Sequence, residues 1–172
     1  MALTIDKRSN LSSKEFINEY VLPSKPVVIT DAIKNWPALG KLTPRFFKSK
    51  YGHIEKVIDG ITIKMGDYID LMYASTPENP APYPFNFNVE KIFPELMELL
   101  KPQVYYGEID RVLHPFMPAS FLKGTEVHEF FFGGHGSSFP FLHIDAMFLH
   151  THITQLFGRH DVYMDRPERS GI

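Results

Sequence analysis

A glycine-rich turn between two apolar runs constrains the fold of this chain more than any other feature. Residues 133–138 read Gly-Gly-His-Gly-Ser-Ser, and glycine allows the backbone conformations that a tight turn needs. The runs on either side, 126–132 and 139–146, are short and apolar, which is typical of strands. A third strand is expected over 150–156, before Gly158. We therefore expect the end of the chain to be built from strands.

The first hundred residues carry the signals of short helices. Ser12 and Glu15 have the spacing of a capping box, and Thr43 followed by Pro44 is a second helix start. Apolar residues recur with a helical period further along the chain. The expected helices are 13–20, 44–51, 67–74 and 93–100.

Strand signals and one loop lie among these helices. Residues 25–30 are rich in β-branched side chains and are expected to form a strand. Apolar and polar residues alternate over 53–65 around Asp59-Gly60, which is a hairpin pattern. The Pro- and Asn-rich stretch 76–88 is expected to be a loop. With the helices early and the strands late, the order is that of an α+β protein.

Length and charge exclude several classes of protein. The chain has 172 residues and no linker-like stretch, so we expect a single domain over 1–172. Its net charge of −2 and its lack of a basic patch argue against direct nucleic-acid binding. The absence of cysteine excludes disulfides and thiolate metal sites. Without an apolar leader or a membrane-length apolar run, we expect no membrane partner and a cytoplasmic or nuclear location.

His143 and Asp145 are the candidate catalytic and metal-ligating residues. They lie two apart in the expected strand 139–146, and such residues point to the same face of a sheet. An imidazole and a carboxylate placed in this way can hold two positions of one metal ion. The 2-His-1-carboxylate triad of non-haem Fe(II) enzymes uses such a pair. The alternative is a histidine that is satisfied locally beside a surface aspartate.

Three stretches of the chain, spread across roughly residues 24–160, resemble a known family in order and spacing. The first comprises Lys25-Pro26-Val27-Val28-Ile29, Asn35-Trp36-Pro37-Ala38 and Leu42-Thr43-Pro44. The second runs from Phe131 through the glycine-rich turn to Asp145, and the third is Gln155 to Gly158. Together they resemble the JmjC/cupin-like Fe(II)- and 2-oxoglutarate-dependent oxygenases of the small hydroxylase type.

This resemblance implies a double-stranded β-helix, or jelly roll, with helices packed at its N-terminal side. The helices and early strands would lie in 1–125, and the barrel core would start in 126–172. In the family, the second histidine ligand lies several strands beyond the His-x-Asp strand. Only 27 residues follow Asp145, by subtraction from the length of 172. We therefore expect an incomplete, C-terminally truncated barrel.

The resemblance also implies cofactors and a reaction. Fe(II) would be bound by His143, Asp145 and a second histidine, and 2-oxoglutarate would chelate the iron. The product would be a hydroxylated C–H bond in a protein side chain or a small molecule. Thr151, His160 and Tyr106, with Tyr105 as the alternative to Tyr106, would bind 2-oxoglutarate. His160 stands where relatives usually carry a lysine, and its neighbour Arg159 could bind the same carboxylate.

The identity of the second histidine ligand and the activity of the chain stay open at this point. Candidates for the ligand are His150, His152 and His160, with His135 less favoured. One competing interpretation is a truncated or degenerate cupin-like module that binds a ligand or a partner without catalysis. A second is a metal-dependent cupin of a different class. An incomplete barrel would expose apolar strand faces, so a homo-oligomer is a further expectation.

Overall fold

The computed structural model describes residues 5–102, 128–141, 143, 151–162 and 164. In these ranges, strands pair into three two-stranded sheets. The elements in chain order are β1 (Asp6–Arg8), α1 (Ser13–Phe16), a π-helical turn (Ile17–Val21), β2 (Val27–Ile29), α2 (Pro44–Tyr51), β3 (Glu55–Ile58), β4 (Ile61–Lys64), α3 (Met65–Ala74), β5 (Phe85–Asn88), α4 (Val89–Ile92), a 3-10 helix (Pro94–Leu100) and β6 (Glu129–Phe132).

The first sheet is a parallel pair formed by β1 and β2, in which Asp6 lies opposite Val27. Parallel strands cannot be joined by a tight turn, and α1 with the π-helical turn supplies the crossover. The expected capping box starts α1. The Ser12 backbone N–H donates to the Glu15 carboxylate at 2.9 Å, and the Glu15 N–H donates to Ser12 Oγ at 3.3 Å.

Helix α2 and the hairpin that follows it form where their local sequence signals predict. Thr43 Oγ1 caps α2 by accepting from the Phe46 N–H at 3.3 Å, and the helix ends at Gly52. Strands β3 and β4 pair antiparallel on either side of Asp59 and Gly60. These two residues have φ angles of 50° and 79°, which a two-residue hairpin turn requires.

The third sheet pairs β5 with β6 in antiparallel register. Phe85 lies opposite Phe132, and Phe87 lies opposite Phe130. Because side chains alternate across a strand, these four rings share one face of the pair. Phe85, Phe87 and Phe132 are buried there, and Phe130 packs against the core that they form.

The core against this face is largely aromatic. The ring of Phe47, from α2, lies 4.9 Å from that of Phe132 and 5.7 Å from that of Phe93, both edge to face. The ring of Tyr68, from α3, stacks on Phe85 with centroids 3.8 Å apart. Such pairs add about 0.5–1.5 kcal/mol each beyond the burial of their area. Helices α2 and α3 are thereby fastened to the β5–β6 sheet.

The single tryptophan joins two distant parts of the chain. The Trp36 indole N–H donates to the carbonyl of Pro102 at 2.8 Å, and the Ala38 N–H donates to the carbonyl of Leu99 at 3.0 Å. The turn around residue 36 is therefore held against the end of the 3-10 helix.

Four expectations about secondary structure need correction. Stretch 76–88 is not all loop, because its last four residues form β5. The helix expected over 93–100 is a 3-10 helix that begins at Pro94. The described part of 139–146 is not a strand, and neither is 151–156. The expected strand over 25–30 and the hairpin over 53–65 are present as β2 and the β3–β4 pair.

The jelly-roll barrel stays a prediction, since its expected strands fall largely outside the residues that the structure describes. Residues 103–127 and 144–150 belong to the undescribed part. Of the helices in the described ranges, none has the length and apolar character needed to cross a membrane.

Candidate functional site

The glycine-rich turn is pressed against the end of α3 and the residues that follow it. A Cβ atom on Gly134 would lie 2.5 Å from Cβ of Ser75, and one on Gly136 would lie 2.6 Å from Cα of Pro77. Gly136 also has a φ of 85°, a conformation that residues with side chains adopt only at a cost. Both glycines are therefore required by close packing, and at Gly136 the backbone angle adds to this requirement.

Two serine hydroxyls attach the turn to one buried residue. Ser75 Oγ accepts from the Ala81 N–H at 2.8 Å and donates to the carbonyl of His135 at 2.8 Å. Ser137 Oγ donates to the Ala81 carbonyl at 2.8 Å and accepts from the Gly134 N–H at 3.1 Å. Ser75 is itself buried. Buried polar groups are costly unless paired, so these bonds specify one position for the turn.

Tyr68 holds the strand that leads into the turn. Its buried hydroxyl lies 2.6 Å from the Pro82 carbonyl and 3.0 Å from the Phe132 carbonyl, which compete for one proton. Burial raises the pKa of Tyr68 well above its ordinary value. The phenol therefore remains a hydrogen-bond donor throughout the physiological pH range, and the end of β6 is fixed relative to α3.

His143 lies beyond the turn and at the surface. Its imidazole is exposed, and its ring centroid is 4.8 Å from that of Phe139 and 6.0 Å from that of Phe141. The ring of Phe139 in turn lies 5.0 Å from that of Tyr83. Residues 139–141 and 143 are not in a strand. The described part of the chain therefore does not support the prediction that His143 and Asp145 point to the same face of a strand.

Polar side chains cover the outer face of the β5–β6 sheet. The Lys56 ammonium, from β3, donates to Oδ1 of Asn86 at 2.6 Å, and the Asn86 amide donates to Glu129 at 3.0 Å. Burial lowers the pKa of Lys56, and the negative charge of Glu129 opposes that shift. This network fastens the β3–β4 hairpin to the sheet.

His128 is hydrogen-bonded to a carboxylate on α4. Its Nδ1 lies 2.5 Å from the Glu90 carboxylate, which also accepts from the His128 N–H at 3.2 Å. Burial by itself would raise the pKa of Glu90, but the hydrogen bonds from His128 outweigh it and leave the pKa lowered. The pair joins α4 to the residue before β6.

The predicted site residues divide between described and undescribed parts of the chain. Asp145, Tyr106, its alternative Tyr105, and His150 lie outside the described residues. Thr151, His152 and His160 lie in segment 151–162, which has no helix or strand. His152 therefore does not lie in a strand, His150 is outside the described residues, and the second histidine ligand stays a prediction.

Only some of the proposed iron ligands lie in the part of the chain that the structure describes. Among the described residues, no group of three His, Asp or Glu side chains could hold a metal ion. His143 suits one ligand position by its chemistry, because an exposed imidazole is a normal Fe(II) ligand. Its proposed carboxylate partner, Asp145, is outside the described ranges. His135 serves the turn through its backbone carbonyl.

Several residues that position this region were not predicted from the sequence. Ser75 and Ala81 hold the turn, and Tyr83 contacts Phe139, yet all three belong to the end of α3 or to stretch 76–88. Ser-Thr-Pro after a helical pattern is a helix-end signal. It does not reveal a partner 60 residues away, such as the one that Ser75 has in His135.

Comparison with known proteins gives a distant and partial similarity. A segment of 99 residues is 30% identical to lysine-specific demethylase JMJ21 of Arabidopsis thaliana and covers 55% of this chain but 10% of that protein. A segment of 51 residues is 37% identical to lysine-specific demethylase JMJ30 of the same plant, covering 30% of this chain and 10% of that protein.

These matches limit what can be said of the whole protein. The chain spans about one tenth of the length of each of these two relatives. No protein-family model matches it, and no solved structure does. The two matches support the resemblance to the JmjC family at a distant level: the chain is similar in part to JmjC lysine demethylases.

Proposed function

We propose that this chain is part of an Fe(II)- and 2-oxoglutarate-dependent oxygenase of the JmjC type, which hydroxylates a protein side chain or a small molecule. The observation that carries the proposal is the glycine-rich turn, held by Ser75 and Ser137, that leads to an exposed His143 with Asp145 two residues beyond. The partial similarity to JmjC lysine demethylases supports the same class of function.

His143 and Asp145 would hold the metal, and the remaining ligand would come from His150, His152 or His160. Thr151, His160 and Tyr106 would bind the carboxylates of 2-oxoglutarate. When bound, Fe(II) and 2-oxoglutarate would supply the oxygen activation needed to oxidise a C–H bond. The chain itself would orient the ligands, and the clamped turn would limit the movement of the segment that carries His143.

The names of the two relatives suggest which substrate to test first. Both are lysine-specific demethylases, so peptides with methylated lysine are the first choice within the class of protein side chains. Hydroxylation of an N-methyl carbon gives an unstable product that loses formaldehyde. Release of formaldehyde would therefore distinguish demethylation from stable hydroxylation of another side chain.

The first test is an anaerobic titration of the apo protein with Fe(II) in the presence of 2-oxoglutarate. Chelation of the metal by 2-oxoglutarate gives a metal-to-ligand charge-transfer band in the visible range. We expect the band in the wild type and its loss in His143→Ala and Asp145→Ala. His53→Ala is the matched control, because His53 is an exposed histidine just before β3 and is not a proposed ligand. This variant should retain the band.

The outcomes separate the proposal from its competitor. A band that depends on His143 and Asp145, followed by succinate formation when oxygen and substrate are added, supports an oxygenase. A band without succinate on any methyl-lysine peptide moves the search to other substrates. Metal binding that is unaffected by either substitution, with no band, overturns the proposal in favour of a non-catalytic cupin-like binding module.

Self-association is a further part of the proposal. Exposed apolar side chains occur close in sequence to proposed site residues: Phe141 is 67% and Ile153 is 58% exposed. Exposed apolar surface promotes association. Light scattering after size-exclusion chromatography tests this directly. A monomer at all concentrations would remove the homo-oligomer from the proposal without affecting the metal site.

A further inference from the structure

The ring of Phe139 contacts the rings of Tyr83, Phe131 and His143. It meets Tyr83 with centroids 5.0 Å apart at an interplanar angle of 83°, and it meets His143 at 4.8 Å and 62°. Both are edge-to-face contacts, the arrangement that aromatic pairs favour. Phe139 thus connects the imidazole to the stretch between α3 and β5.

Tyr83 is a fixed support for this contact. It lies two residues after Ala81, both of whose backbone polar groups are bonded to serine hydroxyls. A Cβ atom on Gly133 would lie 3.1 Å from Cε2 of Tyr83, so the turn backbone packs directly on the phenol ring. The side chain of Tyr83 is partly buried.

The second ring beside His143 is a weaker support. Phe141 is 6.0 Å away and 67% exposed, whereas Phe139 is closer to the imidazole and 40% exposed. Phe139 also has ring contacts to both Tyr83 and Phe131. Within the part of the chain that the structure describes, Phe139 has ring contacts beyond His143 and Phe141 has none, so we infer that Phe139 limits the orientations of the imidazole.

We propose that Phe139, backed by Tyr83, is a positioning residue that orients the imidazole of His143 for metal binding. This inference rests on the proposed function, because it assigns a purpose to the orientation of His143. A ligand held in one orientation before the metal arrives loses less conformational freedom on binding. Removing the ring should therefore weaken metal binding while leaving the ligand itself in place.

The test uses the full chain and Mn(II) as the probe, with binding measured from the loss of the free Mn(II) signal in electron paramagnetic resonance. The variants are Phe139→Leu, which removes the ring, and Phe139→Tyr, which restores one. Phe157→Leu is the matched control at another exposed phenylalanine. We expect Phe139→Leu to raise the Kd for Mn(II) about two- to tenfold, and the other two variants to resemble the wild type.

A second readout needs no metal. In the apo protein, the ring current of Phe139 should displace the imidazole proton resonances of His143 from their unfolded positions. Phe139→Leu should abolish this displacement, Phe139→Tyr should keep it, and near-identical circular dichroism should show that the fold is retained. These changes together with the weaker Mn(II) binding support the positioning role.

Two results would overturn it, and they differ. Equal Mn(II) affinity in the wild type and Phe139→Leu, while wild-type binding still depends on His143, overturns the positioning role and leaves the proposed function intact. A wild type that binds Mn(II) independently of His143 overturns the proposed function and the positioning role with it. The apo resonances then report only a packing contact.

Discussion

Ser75 and Ser137 divide the backbone of Ala81 between them: the first hydroxyl accepts from its N–H and the second donates to its carbonyl, each at 2.8 Å. The two serines lie on opposite sides of the β5–β6 pairing in the chain. Their shared residue makes the position of the glycine-rich turn depend on the stretch after α3. Four stability predictions test this arrangement and the sheet beside it.

Ser75→Ala should lower the free energy of unfolding by about 1–3 kcal/mol. The substitution leaves the Ala81 N–H and the His135 carbonyl without the hydroxyl that pairs with both. Urea denaturation followed by circular dichroism measures the change. Ser138→Ala, at an exposed serine of the same turn, should change stability by less than about 0.5 kcal/mol. Equal effects of the two variants would contradict the idea that the Ser75 hydroxyl fixes the position of the turn.

Gly136→Ala should be more destabilising than Gly40→Ala. Both glycines have a positive φ, 85° and 76°, so both variants incur the left-handed strain of about 1–2 kcal/mol. A Cβ atom at Gly40 meets nothing within 4 Å, whereas one at Gly136 would lie 2.6 Å from Cα of Pro77. Overpacking should add at least about 1 kcal/mol for Gly136→Ala.

Thermal and urea denaturation of the two glycine variants measure that difference. Because the strain is common to both, the excess for Gly136→Ala isolates the contact with Pro77. Equal losses of stability would mean that the turn can move away from the residues after α3. The hydrogen bonds of Ser75 and Ser137 would then not define its position.

Tyr68→Phe should destabilise the protein by about 1–3 kcal/mol without disturbing the aromatic core. The ring keeps its stack on Phe85, but the carbonyls of Pro82 and Phe132 lose their shared donor. Tyr73→Phe, at a tyrosine that is 57% exposed, is the control. Urea denaturation compares them, and a Tyr68→Phe variant as stable as Tyr73→Phe would rule out a structural role for the hydroxyl.

The Glu90–His128 pair should contribute a small stability that acid removes. The pKa of Glu90 is lowered in the folded state from its ordinary 4.5, because the hydrogen bonds from His128 outweigh the effect of burial. A lowered carboxyl pKa stabilises the fold above the unfolded pKa, and that contribution is lost as the pH falls through the folded pKa. Both side chains are more than one third exposed, so we expect less than about 1 kcal/mol.

Denaturation curves from about pH 6 to about pH 3 measure this contribution. The stability difference between the wild type and Glu90→Gln should shrink toward the acid end. Glu78→Gln, at an exposed glutamate, should show no such convergence. A difference that grows as the pH falls would mean that the pKa of Glu90 is raised rather than lowered.

Local signals in the sequence predicted the elements that depend on neighbouring residues. The capping box of Ser12 and Glu15 starts α1, Thr43 caps α2, and Asp59-Gly60 forms the turn of the β3–β4 hairpin. Each of these features is decided within four or five residues. Their hydrogen bonds and backbone angles are set by neighbouring residues, so the sequence alone was sufficient to predict where they begin and turn.

Pairing between distant segments was not predictable in the same way. Phe85–Asn88 alternates apolar and polar residues, but the prolines before it favoured a loop, and its partner β6 lies more than forty residues later. Segment 139–141 has a strand-like composition, yet composition cannot supply a pairing partner. For the site, the sequence singled out His143. It did not single out the serines that hold the preceding turn or the rings that pack near the imidazole.

The bond between Trp36 and Pro102 makes the chain its own fluorescent reporter. Trp36 is the single tryptophan, and its indole N–H is bonded to a carbonyl 66 residues away. Its emission should therefore shift when those two segments separate, whatever happens elsewhere. Comparing that shift with the loss of circular dichroism would show whether the region around residue 36 opens together with the aromatic core or before it.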